Sequence, residues 1–258
     1  MTSPSLTRRA FSALAGASAV ASAIGPLAAA TPADVVMLVH PDMVALDLIG
    51  PQTVFGLMPG ARLHLVGRSL APVTTDIGLA VTPTTDFAGC PAAPDILFVP
   101  GGLKGSVAAM QDPATLAFLA DRGARAGFVT SVCTGALVLG AAGLLRGYRA
   151  TSHWYVRDLL PLFGAVPAEG RVVADRNRMT AGGVTAGIDF GLTLAARLHG
   201  DEVARRLQLI LEYDPAPPFR AGSPQGAGPA LTADVLGRRK AALDEARAAA
   251  TAAAAKLP

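Results

Sequence analysis

Two cysteines in 258 residues are too few to staple a chain of this length, which excludes a disulfide scaffold. Charged residues are scarce at 16% and the formal net charge is only +3, while 51% of residues are hydrophobic. A chain so apolar and so nearly neutral is not intrinsically disordered. The charge balance gives little reason to expect a nucleic-acid partner, and with 5% aromatics no basic–aromatic binding surface stands out. No phosphate-binding loop or dinucleotide fingerprint is found. His40, His64 and His199 lack metal-ligand spacing with cysteines or carboxylates, so no metal is expected. No stretch reaches the ~20 uninterrupted apolar residues of a transmembrane helix, so the mature protein is expected to be soluble, with no permanent membrane span. What remains is a chain long enough, and apolar enough, to bury one sizeable core.

Residues 1–30 read as an address. Arg8-Arg9 precede Phe11, a small and mildly apolar run follows from Ala13 to Leu27, and Ala28-Ala29-Ala30 supply the small residues of a cleavage site. The segment resembles a twin-arginine export signal, which implies an exported, periplasmic or secreted protein. An Ala-rich anchor or a misassigned start is the alternative. Removing Arg8 and Arg9 leaves a net charge of +1.

From Ala33 the chain alternates short apolar runs with helical patterns. Strands are expected at 34–40, 62–66, 95–99 and 128–132, and helices at 46–57, 112–122, 134–144, 154–162, 184–199 and 201–212. Asp112 is a natural N-cap with Pro113 at the first helical position. The alternation predicts an α/β fold, a mostly parallel sheet flanked by helices. A Pro/Gly-rich segment over 214–229 is expected to be irregular. The organisation expected is therefore 1–30 signal, 31–231 α/β domain and 232–258 an Ala-rich C-terminal helix.

The sharpest local feature is Ser131-Val132-Cys133-Thr134-Gly135-Ala136, where a strand gives way to a small-residue helix with a cysteine at the turn. That is the arrangement of a nucleophile elbow, and a helix N-terminus there should lower the thiol pKa. A packed, inert cysteine is the competing reading. Pro100-Gly101-Gly102 ends the neighbouring strand, placing Gly102 where a backbone N–H can meet an anion, or simply in a tight turn. Asp47, between apolar residues, is either an N-cap or a proton carrier facing the cysteine. His153, twenty positions beyond Cys133, is a secondary candidate base. Cys90 is read as packed, with a disulfide to Cys133 as the alternative.

The stretch TSVCTGALVLGAAGLLRGYRATSHW, together with ALDLIGP, FVPGG, TAGGVTAGIDFGLTLAARL and LQLILEYDPAPPFRAGSP, resembles the ThiJ/PfpI superfamily. The last motif resembles its bacterial isonitrile (isocyanide) hydratase branch. The resemblance spans about residues 33–230 and implies a flavodoxin-like, glutamine amidotransferase-like sandwich. It also implies a Cys133 nucleophile, an essential Asp47, and substrate contacts at Thr134, Gly102, Gly183, Val184 and Thr185. It further implies hydration of a small isonitrile to an N-substituted formamide through a covalent thioimidate, no cofactor, and a homodimer. Other branches place histidine directly after the cysteine; Thr134 stands there, against protease, chaperone and deglycase readings. The alternatives are a periplasmic ligand-binding or sensor protein of the same fold, or another thiol-dependent hydrolase or amidase.

Overall fold

The computed structural model describes residues 33–257. The proposed export signal lies outside the described residues. The chain runs β1 (Ala33–Leu38), α1 (Ala45–Gly56), β2 (Ala61–Gly67), β3 (Val73–Thr74), β4 (Ala80–Val81), β5 (Thr85–Asp86) and β6 (Ile96–Val99). It continues through α2 (Leu103–Gln111), α3 (Pro113–Arg125), β7 (Phe128–Val132), α4 (Gly135–Ala141), β8 (Arg149–Ala150), a 3-10 helix (Arg157–Phe163) and β9 (Val166–Pro167). The remainder is β10 (Val172–Asp175), β11 (Arg178–Ala181), α5 (Ala186–His199), α6 (Asp201–Ile210) and α7 (Pro224–Ala254).

The main sheet is ordered β10-β11-β7-β6-β1-β2-β5, parallel except for the β10–β11 edge hairpin. Its central strands read as unbroken apolar runs because helices cover both faces. The two-residue side-chain period divides β1 accordingly. Val35 and Met37 pack with Phe55, Phe98 and Phe190 under α1 and α5, while Val36 and Leu38 face the α2, α3, α4 and α7 side. The three rings on the first face meet at centroid distances of 5.7–6.2 Å. Asp112 caps α3 as its sequence predicts, accepting from the N–H groups of Ala114 and Thr115.

Two expectations change. The Pro/Gly-rich segment is not irregular to Pro229: α7 begins at Pro224, capped by Ser223, and breaks only at Gly228 (φ 77°). Nor is the Ala-rich helix an addition to a finished domain. Ala246, Ala249, Ala250 and Ala253 are buried in the same core as α4, their small side chains allowing close approach. Helix α2 and the β10–β11 hairpin were not foreseen at all.

The strand-end loops that carry the candidate residues meet without slack. A Cβ on Gly135 would lie 2.4 Å from the Val99 carbonyl oxygen, so β6 and α4 can abut only with glycine there. Gly135→Ala should cost about 1–3 kcal/mol, since overpacking against backbone exceeds the ~1 kcal/mol helix gain from alanine. Urea unfolding checks this; an unchanged or raised midpoint would contradict it.

Candidate active site

Cys133 sits at the carboxyl end of β7 with φ 57°, a left-handed conformation that is costly for a non-glycine residue. The surroundings hold it there. Its N–H donates to the Gly182 and Ala181 carbonyls at 2.8 and 3.1 Å, and its carbonyl accepts from Ser152 Oγ at 2.8 Å. The elbow is therefore real, and Cys133 is 1% exposed. Both cysteines are free, so no disulfide blocks it.

Asp47 is fully buried in the first turn of α1, but it is not the cap. That role falls to Asp76, whose Oδ1 accepts from the Ala45 N–H at 3.0 Å. Asp47 is thereby left to face the elbow: Oδ2 accepts from the Gly101 N–H at 3.0 Å, Oδ1 has no partner, and the carboxyl interacts directly with the Cys133 thiol. Burial raises the Asp47 pKa from 3.8 to about 7, against the opposing effects of Cys133 and the Gly101 N–H.

The thiol does not follow the sequence-based expectation. Burial pushes the Cys133 pKa upward and the Asp47 charge pushes it further. The N–H groups of Thr134 and Val184, both directed at the sulfur, pull the other way without prevailing. α4 spans only seven residues, too short an element to outweigh desolvation. As pH rises through about 7 the pair loses one proton, and the negative charge that results sits mainly on the carboxyl.

A cavity of about 610 Å³ opens onto Cys133, with Asp47 buried behind the thiol, and is walled by Gly102, His153, Tyr155 and Val184 among others. Gly102 (φ 125°) lines it, but its N–H is committed to Thr134 Oγ1 at 2.9 Å and is not offered to a ligand. Thr134 Oγ1 also pairs with Ser106 Oγ at 2.7 Å, so this hydroxyl is a strut and only the Thr134 N–H serves the site. Gly183 and Thr185 border an adjoining cavity of about 480 Å³, which shares His153, Trp154 and Val184 with the first. Thr185 Oγ1 accepts from Arg171 at 3.4 Å.

His153 lies on the wall against Tyr155, with ring centres 3.6 Å apart and the planes tilted by 32°. Its Nδ1 is buried and unpartnered, and burial, aided by Arg239, lowers its pKa to about 4. It is thus a neutral ring, paired with neither Cys133 nor Asp47. Sequence reasoning missed Asp76, Tyr155 and the α7 residues Val235, Arg239 and Ala242, all of which line the cavity. The adjacency of Tyr155 to His153 was the available signal for one; for α7 there was none. Among the described residues, no group of three or more His, Cys, Asp or Glu is placed to hold a metal ion.

Comparisons with known proteins show the family. A model of the DJ-1/PfpI family matches residues 33–197. The chain is 52% identical over 204 residues to isonitrile hydratase of Pseudomonas putida, covering 79% of this chain and 88% of that protein. A ThiJ/PfpI family protein from Pseudomonas syringae superposes with a TM-score of 0.84 at 50% identity, covering 86% of this chain and 92% of its own. The HTH-type transcriptional regulator GbdR of Pseudomonas aeruginosa is 33% identical over 156 residues, 59% of this chain and 41% of the regulator.

Proposed function

Since the chain belongs to the DJ-1/PfpI family, we propose that it hydrates isonitriles to N-substituted formamides, R–NC + H₂O → R–NH–CHO. The observation that carries the reading is the buried Asp47–Cys133 pair, whose thiol borders the cavity. The 52% identity to an isonitrile hydratase supports it. An isonitrile carbon must receive a nucleophile and a proton at one and the same atom. Asp47, with a pKa near 7, takes the Cys133 proton as sulfur attacks and delivers it to that carbon, forming S–C and C–H bonds. The product is a thioimidate, R–N=CH–S–Cys.

Water then adds to the carbon. Asp47 removes one of its protons and returns a proton to the imine nitrogen. Collapse of the tetrahedral adduct breaks the C–S bond, and the hydroxyl proton goes back to sulfur through Asp47. One water is consumed, nothing is oxidised, and no cofactor takes part. The Thr134 and Val184 N–H groups stabilise charge on the sulfur as it develops and as it leaves.

The test is turnover. Loss of the isonitrile stretch in the infrared should match formamide appearance by NMR, with a quenched adduct of substrate mass on Cys133. Formamide formation by protein whose Cys133 is blocked would sink the mechanism. A ligand-binding role is the second reading, favoured by the regulator relative; saturable isonitrile binding without formamide would select it.

The reading extends to the protein's setting. Export through the Arg8-Arg9 signal would be opposed by fractionation that finds the chain wholly cytoplasmic. A homodimer would use the α1 face, where Leu46, Ile49 and Leu57 are exposed. Light scattering at micromolar concentration should give twice the chain mass; a monomer would refute it.

A further inference from the structure

Arg239 lies on the α7 side of the cavity, beside the aromatic rings of Trp154 and Tyr155, and the other charged side chains of the lining are Asp42, Asp76 and Lys104. Its neighbours along α7 each hold an acid one turn away, Arg238 with Asp234 at 2.8 Å and Lys240 with Asp244 at 2.6 Å. The corresponding positions for Arg239 are Val235 and Leu243, so the helix provides it no such partner. Among the described residues it makes no ion pair; its guanidinium carbon lies 5.6 Å from the centre of the Tyr155 ring. The other charged groups around the cavity are engaged. Lys104 pairs with Asp42 at 3.0 Å, and Asp76 caps α1.

Size supplies a second argument. The isonitrile group is two atoms, whereas the cavity encloses about 610 Å³, within the range that holds drug-sized molecules. Most of that space must serve whatever the isonitrile nitrogen carries.

We infer that Arg239 selects this substituent, favouring one that ends in a carboxylate, with Trp154 and Tyr155 flanking its apolar middle. The inference rests on the isonitrile reading for the reacting group. A guanidinium offers a planar fork of donors matched to a carboxylate. The negative charge shared by Asp47 and Cys133 repels the same carboxylate. Attraction to Arg239 and repulsion from the pair together turn the isonitrile carbon toward the sulfur.

The experiment compares ω-isocyanoalkanoates of increasing chain length with their methyl esters. Wild type should prefer the acid at its best length by about 2- to 5-fold in kcat/KM, the usual effect of an ion pair to an exposed arginine. Arg239→Gln should lower kcat/KM for the acids by that factor, mainly through KM, and far less for the esters. Arg239→Lys should restore part of the preference, and added salt should shrink it in wild type. An acid-to-ester ratio equal in wild type and Arg239→Gln at every length overturns the inference. If no isonitrile is hydrated, the proposed function fails on its own. The matching formamide acids and esters are then titrated calorimetrically into Cys133→Ala protein, with and without Arg239→Gln. Equal acid-to-ester affinity ratios in the two proteins overturn the inference; a ratio that falls with Arg239→Gln upholds it.

Discussion

Cys133→Ser protein should hydrate isonitriles slower than wild type by a factor on the order of 10⁴ or more, while unfolding at nearly the same urea concentration. The exchange of sulfur for oxygen is almost isosteric, and the side chain is 1% exposed within an elbow held by backbone hydrogen bonds. Folding has little reason to change. Chemistry has every reason: a carboxylate with a pKa near 7 is far better matched to a thiol proton than to a serine proton, and the hydroxyl is the weaker nucleophile. Mass spectrometry of quenched reactions should show no adduct. Cys90→Ala is the control, because Cys90 lies elsewhere, its sulfur accepting from Arg122 Nε at 3.4 Å. Its activity should persist. Residual turnover above about one per cent in Cys133→Ser, against the loss expected for a missing nucleophile, would remove the covalent mechanism.

Asp47→Asn should lower kcat/KM by about 10²–10⁴ and change the shape of its pH dependence. In wild type the working form of the pair has lost one proton, so activity should rise through about pH 7 and then level off. Asparagine removes that limb. What remains should rise only with the thiol itself, above its ordinary value of 9.0, because burial still opposes the thiolate after the neighbouring charge has gone. A limb near pH 7 that survives in Asp47→Asn would assign it to another group.

The same substitution carries a stability consequence of definite sign. The folded Asp47 pKa, about 7, lies above its ordinary 3.8, so the native state holds an extra proton between those values. Stability from this group is full below about pH 4, falls as pH rises toward 7, and stays low beyond. The loss is on the order of 4 kcal/mol for a buried carboxyl shifted this far. Asp47→Asn should therefore be the more stable protein at pH 8 by urea midpoint, with the difference closing toward pH 4. A gap independent of pH would mean that Asp47 is not strained by ionisation.

How much of this was legible in the sequence depended on whether the signal was local. The strands β1, β6 and β7 are covered on both faces and announce themselves as apolar runs, and Asp112-Pro113 marks the start of α3. The elbow could be read because a strand, a cysteine and a small-residue helix are contiguous. Other features depended on tertiary placement. α2 begins after Gly102 and contains Gly105 and Ser106, weak helix formers whose smallness is explained only by what packs on them. The β10–β11 turn places Arg176 at φ 54° with no glycine to betray it. The roles of Thr134 and Gly102 could not be read at all. Their mutual hydrogen bond joins residues 32 positions apart and consumes the groups that seemed free for substrate. The Cys133 pKa went the wrong way for a similar reason. The sequence displays the short helix behind the thiol but not the depth at which the thiol is buried.

The place of α7 in the chain has a consequence for synthesis. Val235, Arg239 and Ala242 wall the cavity, and Ala246–Ala253 complete the core beneath it, yet these are the last parts of the domain to leave the ribosome. Cys133 emerges more than a hundred residues earlier. At ~5–20 residues per second, the thiol waits roughly ten seconds before the helix that encloses it exists. During that interval it is an ordinary accessible cysteine, open to oxidants and alkylating agents that the finished molecule excludes. Chains stalled before residue 230 should be labelled at Cys133 within seconds by a maleimide, and released full-length protein far more slowly.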